Sequence, residues 1–259
     1  MSLLDQVRWF PGARRLIGAA RAEMPQKDEL CGAFVTVVSL RAKGIDVHDQ
    51  DEAAVVAGVR LLAGGAPSSR PPGEKGRDDY RVPLRRTENA EKAGASANGV
   101  AHAIETLSGG RLRAVPASGD WSVAALRGLL GGLYELPWVA PVANVDTAEF
   151  GAHDTPEIAL RDYLDGGLPP LRNSRWRVGH FTLLAGMATG SGGTLVSVVD
   201  SYPSLGDRGL HLQPLDRLVA ALRRERLARP GGLLLVVPEV HAETVAGLVT
   251  GEGLRVSLW

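Results

Sequence analysis

The chain predicts an α+β fold, and two observations carry that prediction. Helical patterning clusters in the first third, around the single cysteine Cys31. The clearest sheet signal comes late, in RWRVGHFTLLAGMATGSGGTLVSVVDSYP, where two apolar runs at about 177–187 and 194–200 flank a glycine-rich turn and read as an antiparallel hairpin. Helices first and antiparallel strands later point away from a doubly wound parallel sheet. With 259 residues, 44% of them hydrophobic, a single domain over 1–259 is expected, carrying a polar loop insertion at about 64–95.

Residues 1–23 mix apolar and basic side chains and read as one short helix or arm leading to Pro25. From Cys31 the run CGAFVTVVSLRAKG is apolar nearly all round. Its valine-rich middle also reads as a core strand, but its length and the preceding Asp28 and Glu29 favour a buried helix ending at Gly44. DQDEAAVVAGVRLLAGG, residues 49–65, reads as a second helix, acidic in its first turn and closed by glycines. From Ala66 to Gly94 the density of Pro, Gly and charge marks an exposed loop or partly disordered insertion, a lid, a protein-partner site or plain surface. Helices follow at 96–110 and 122–133 and strands at 111–117 and 137–145, and Thr155-Pro156-Glu157 starts another helix. Residues 211–227 read as an amphipathic helix with Pro214 near its start, 232–239 as a strand, 240–251 as a helix and 254–258 as a last short strand.

Composition narrows the function classes. Basic and acidic residues balance at 29 each, so the chain has no broad field for nucleic acid or an anionic membrane, and neither is expected as a partner. No apolar run approaches a membrane span and the start lacks a signal peptide's cleavage pattern, so a cytoplasmic protein is expected. One cysteine excludes an internal disulfide framework and a four-cysteine zinc site, and it fits a reducing compartment.

Chemistry is best supplied by four residues. A thiol becomes a strong nucleophile when a positive environment lowers its pKa, as the first turn of a helix beside an imidazolium does. Cys31 stands at the expected helix start. His180 lies in the first hairpin strand and Asp200 at the end of the second, where the two become cross-strand neighbours at the sheet end. Attack, proton transfer and orientation then fall to Cys31, His180 and Asp200. The Gln26 amide, with the backbone N–H of Cys31, would stabilise an oxyanion.

Gln26 with Cys31-Gly32-Ala33, then Gly179-His180-Phe181 opening an apolar strand, then Val198-Val199-Asp200-Ser201-Tyr202-Pro203, resembles the papain-like cysteine peptidases, most of all their bacteriocin-processing branch. The spacing from Gln26 to Cys31 is one residue shorter than in that pattern. The resemblance implies a papain-like fold, in which a nucleophile-bearing helix packs against an antiparallel sheet. It also implies Cys31 as nucleophile, His180 as general base, Asp200 as orienting carboxylate and Gln26 as oxyanion donor; no cofactor or metal is expected.

Each residue has a plainer reading: Cys31 as a small buried hydrophobe, His180 as a satisfied sheet histidine, Asp200 as a turn cap, Gln26 as surface. Their joint placement favours catalysis. His48 with Asp46, Asp49 and Asp51 reads as a solvated helix start rather than a metal site. His153 and Asp154 offer an alternative base and orienter, or a capping loop. His102, His211 and His241 have no partner evident from spacing, the glycines of GMATGSGGT lack a phosphate loop's lysine, and Trp121, Trp138 and Trp176 pack a core or line a cleft. Two functions follow. One is cysteine-dependent acyl transfer on a peptide or small amide, to water or to an amine. The other is a non-catalytic peptide-binding or scaffolding protein that keeps the fold.

Overall fold

In the computed structural model, which describes residues 2–66, 69–170 and 172–259, the N-terminal arm divides into an edge strand β1 (Arg8–Trp9) and a helix α1 (Ala13–Glu23). Of the expected insertion, Pro67 and Ser68 lie outside the described residues. Helix α2 (Cys31–Ala42) resolves the helix-or-strand ambiguity, since every residue from Gly32 to Leu40 is buried and an apolar surface all round suits a central helix. Gly32 permits its close fit: a Cβ there would come within 2.5 Å of Ala95 and 2.9 Å of Val100.

Helix α3 (Gln50–Val56) is capped by the Asp49 carboxylate, which accepts from the N–H groups of Asp51 and Glu52. It stops well short of the expected residue 65. Gly58 turns the chain at φ +65°, and the following residues form β2 (Arg60–Leu62), which pairs in parallel with β3 (Arg85–Thr87) inside the expected insertion.

Next come α4 (Ala97–Leu107), β4 (Leu112–Ala117), α5 (Val123–Gly132), β5 (Ala140–Asp146) and α6 (Glu157–Leu164). The chain continues through β6 (Gly179–Thr189), β7 (Thr194–Val199), β8 (Leu210–Pro214), α7 (Leu215–Arg223), β9 (Gly232–Pro238) and α8 (Ala242–Gly251). Ser96 and Ser122 cap α4 and α5 through their hydroxyls.

The main sheet runs β4-β9-β5-β6-β7-β8, antiparallel throughout, with β1 against the far half of β6. The architecture is therefore α+β, an antiparallel sheet packed against helices. The β6–β7 hairpin matches the expected one, with Thr189 facing Thr194 at the turn and Leu183 facing Val199. Two expectations are corrected. Residues 211–214 belong to β8, where Val198 pairs with His211 and Leu195 with Pro214, so the helix starts only at Leu215. Residues 254–258 form no strand; Arg255 alone bridges to Ser118.

Helix α2 lies against β6 with α1, α3 and α4 around it, and α7 packs on β5, β7 and β8. The N-terminus of α2 thus meets the sheet where β6 begins and β7 ends. No described helix is long and apolar enough to cross a membrane.

Candidate active site

Cys31 opens α2 and is partly exposed. Leu30, the residue before it, offers no side-chain cap, so the positive end of the helix faces Cys31 without a capping oxygen. His180 is the second residue of β6 and Asp200 follows the last residue of β7. Both are buried, and His180 Nε2 lies 3.0 Å from Asp200 Oδ1. That contact leaves Nδ1 as the ring nitrogen for the thiol. Trp176 shields the pair, its ring centroid 4.6 Å from that of His180, and Tyr202 packs edge-on against Trp176.

The charges reinforce one another. Burial pushes the Cys31 thiol up, but hydrogen bonding and charge from His180, with the backbone N–H groups of Phe181 and Gly32, outweigh it and hold the thiol below its ordinary value. Burial pulls His180 down, but the Asp200 charge and the thiolate lift it to about 10. Burial likewise opposes ionisation of Asp200, and His180 and His211 more than offset it, holding the carboxyl well below the usual carboxylate range. All three shifts favour the charged forms: thiolate, imidazolium and carboxylate.

Gln26 reaches the same place from the loop before α2. Its N–H donates to the Ser201 carbonyl at 3.1 Å, and the Ser201 hydroxyl donates to Gln26 Oε1 at 2.6 Å. Its oxygen is thus held by Ser201, and Gln26, Cys31 and His180 line one cleft of about 190 Å³ together. The shortened spacing does not remove it from the site. A second cleft of about 370 Å³, lined by Asn144, Phe181, Arg224 and Trp259, opens on the other side of Cys31 and Gly179.

Polar contacts fix the loop that carries Gln26. Lys27 and Asp51 form a buried ion pair at 2.8 Å, and Lys27 Nζ also donates to the Asp79 carbonyl. Arg77 N–H and Tyr80 hydroxyl bond Asp28, Arg81 N–H bonds Asp51, and Glu74 accepts from the N–H of Ser204. The insertion is thus a polar strap over both the nucleophile loop and the turn after Asp200. Glu29 adopts φ +62°, rare for a residue with a side chain, and its carboxylate accepts from Leu62 N–H at 2.7 Å.

His211 was not legible as a partner. Its Nε2 faces Asp200 Oδ2 at 3.5 Å, and Gln213 Nε2 donates to its Nδ1 at 3.1 Å, which puts the His211 proton on the side of Asp200. The signal was the alternation in HLQP, which marks a strand. His153 lies edge-on to His211, ring centroids 4.6 Å apart, and burial and the neighbouring His211 drive its pKa to about 3. It lines other cavities than those of Cys31, so the His153–Asp154 alternative is not assembled at the thiol. His48 and Asp49 bond Arg81 rather than converging on a common centre, and among the described residues no cluster of three or more His, Cys, Asp or Glu has a metal-holding arrangement. Trp121 and Trp138 are core residues; Trp176 alone of the three reaches the site.

A model for DUF6885, a family of unknown function, matches residues 10–259. The chain belongs to this family. No curated protein matches it. In this DUF6885 chain the matched span contains all four residues of the site, together with the strap and His211.

Proposed function

We propose that the protein is a thiol enzyme that transfers an acyl group from a peptide or small amide through a thioester on Cys31. The observation that carries this is the buried His180–Asp200 contact at 3.0 Å beside a partly exposed Cys31 whose thiol is held below its ordinary pKa. The fold and residue roles that the resemblance implies, those of a papain-like peptidase, support the same reading.

The thiolate attacks the acyl carbon, and the new oxyanion takes hydrogen bonds from the Cys31 N–H and the Gln26 amide. The His180 imidazolium gives its proton to the leaving nitrogen as the carbon–nitrogen bond breaks, and neutral imidazole remains beside the thioester. Water or an amine then attacks; His180 takes the proton from it, and the thiolate leaves. Water completes a hydrolase cycle and an amine a transferase or ligase cycle. Asp200 orients the ring and stabilises its charge throughout.

The test is the pH dependence of Cys31 alkylation by iodoacetamide, in the native protein and in a folded His180→Ala variant. The chain has one cysteine, so the signal has no competitor. Rapid reaction persisting below about pH 7, and lost in the variant, is the expected result. A thiol titrating near about 8.5 whether or not His180 is present would shift the reading to a binding protein that keeps the fold without turnover.

A further inference from the structure

The cleft on the far side of Cys31 from Gln26 holds a cation that the acyl-transfer scheme does not use. Arg224 follows α7 at φ +50°, a left-handed position where a helix end ordinarily takes glycine. Its side chain turns back to the sheet, where one guanidinium nitrogen donates to Asn144 Oδ1 at 2.7 Å. Nε is buried without a hydrogen-bond partner among the described residues. The remaining nitrogen lies over Gly179, where a Cβ would stand only 2.5 Å from it, so the Gly179-His180 pair makes room for the guanidinium as well as placing the base.

No described carboxylate forms an ion pair with Arg224. The nearest acid in the strand, Asp146, is engaged through Oδ2 with Arg226 at 3.1 Å and through Oδ1 with the Ala148 N–H. Arg224 is half-buried, in a cavity of about 370 Å³ that also contains the nucleophile. Burial lowers its hold on the proton, while the Asp146 charge and, after it, that of Cys31 raise it, so Arg224 lies within electrostatic reach of the nucleophile. With one terminal nitrogen on Asn144 and Nε buried, the nitrogen over Gly179 is the donor left for a ligand, and a partly desolvated guanidinium with no ion-pair partner suits a carboxylate there.

We propose that Arg224, held by Asn144 beside Gly179, binds a carboxylate of the substrate in the Cys31 cleft, so that the enzyme acts on acidic acyl compounds: peptides engaged through a terminal carboxylate or an acidic side chain. The proposal rests on Cys31 being a reactive thiolate.

The experiment compares two alkylating reagents that differ in charge. In each the Cys31 thiolate displaces iodide and forms one carbon–sulfur bond. The ratio of the iodoacetate rate to the iodoacetamide rate is measured at about pH 7 in the wild-type chain and in Arg224→Met and Arg224→Lys variants. The expected result is a fall of about tenfold in that ratio for Arg224→Met, with most of it retained in Arg224→Lys. A ratio within about twofold of wild type in a folded Arg224→Met protein, with the thiolate intact, overturns the role of Arg224 alone. Loss of fast alkylation in the wild-type chain at low pH overturns the thiol reading and this proposal together.

A measurement without substitutions decides the matter if Arg224→Met does not fold. N-acetylglycine and the α-amide of N-acetylglutamate, at about 10 mM, are tested for protection of the wild-type thiol against iodoacetamide, with N-acetylglycinamide as the neutral control. Slowing by about threefold from either carboxylate but not from the control is the expected result, as millimolar binding gives, and the protecting compound shows whether a terminal or side-chain carboxylate is read. Equal effects of all three overturn the proposal.

Discussion

His180 and Asp200 are placed by strands whose ladder runs from Thr189 facing Thr194 to Leu183 facing Val199, with one register shift between Leu184 and Gly186. Gln26 and Cys31 stand across the same cleft on a loop and a helix end, positioned by side chains: the Lys27–Asp51 ion pair, the Asp28 contacts and the Ser201 hydroxyl. The base side inherits its geometry from backbone pairing, in which a slip of one residue would turn every side chain to the other face. The nucleophile side depends on a few buried polar contacts, each costly to break. A substitution on the first side should therefore damage chemistry while sparing the fold, and one on the second should damage stability first.

The largest effect tests the sheet side. Asp200→Asn keeps the size of the side chain but removes the charge that His180 and His211 both face. Hydrolysis of p-nitrophenyl acetate, used as a simple acyl probe, should fall about a thousandfold or more while the variant stays folded. A loss under about tenfold would mean that Asp200 serves the turn and not the base.

Lys27→Met tests the loop side. It leaves Asp51, whose side chain is 1% exposed, without its ammonium and should cost about 3–5 kcal/mol, read as a lower urea midpoint. The double variant Lys27→Met with Asp51→Leu should recover most of that, because an apolar pair needs no solvation. If the single variant unfolds no more easily than the wild type, the strap and not the ion pair holds the loop.

Gln26→Ala sharpens the contrast within the loop. Hydrolysis of the acyl probe should fall about a hundredfold, since one oxyanion donor is lost. Alkylation by iodoacetamide develops no oxyanion, so its rate should stay within about twofold. Equal losses in both assays would assign Gln26 to holding Ser201 in place rather than to the chemistry.

The same division explains what the sequence disclosed. The β6–β7 hairpin announces itself through two apolar runs and a glycine turn, and with it comes the placement of His180 and Asp200 at one sheet end. Helix α2 is legible because an apolar surface all round has few other homes. The loop side is not, because Lys27 finds Asp51 and Asp79, Asp28 finds Arg77 and Tyr80, and no periodicity connects partners that far apart. The strand at 210–214 is hidden in a helix pattern, since Leu212 begins the helical spacing that Leu215, Leu218 and Leu222 continue while it also alternates with Leu210, and with the strand goes the link from His211 to Asp200. Arg224 was unreadable for a third reason: a left-handed backbone angle at a non-glycine residue leaves no mark in composition.

The smallest effect separates the two sides by protons. His180 is raised to about 10 in the folded chain, so its contribution to stability is complete below its unfolded value of about 6.5 and is lost as pH rises through about 10. Cys31 is lowered, so its contribution is present above the unfolded thiol value of about 8.5 and is lost as pH falls through the folded value. In the proposed thiolate–imidazolium state, the folded chain holds one proton on His180 between about pH 6.5 and 8.5, while the unfolded chain holds one proton on the thiol. The two states bind equal numbers, and the pair adds no slope to stability against pH. In Cys31→Ser the unfolded chain has lost that proton, whereas the folded chain keeps His180 charged against Asp200. Stability should then fall as pH rises across this window, by up to about 1.4 kcal/mol per pH unit relative to wild type, read from urea midpoints at each pH. Parallel profiles for the two proteins would mean that thiol and imidazole do not share a proton, and the nucleophile side would then be a separate structure that merely faces the base.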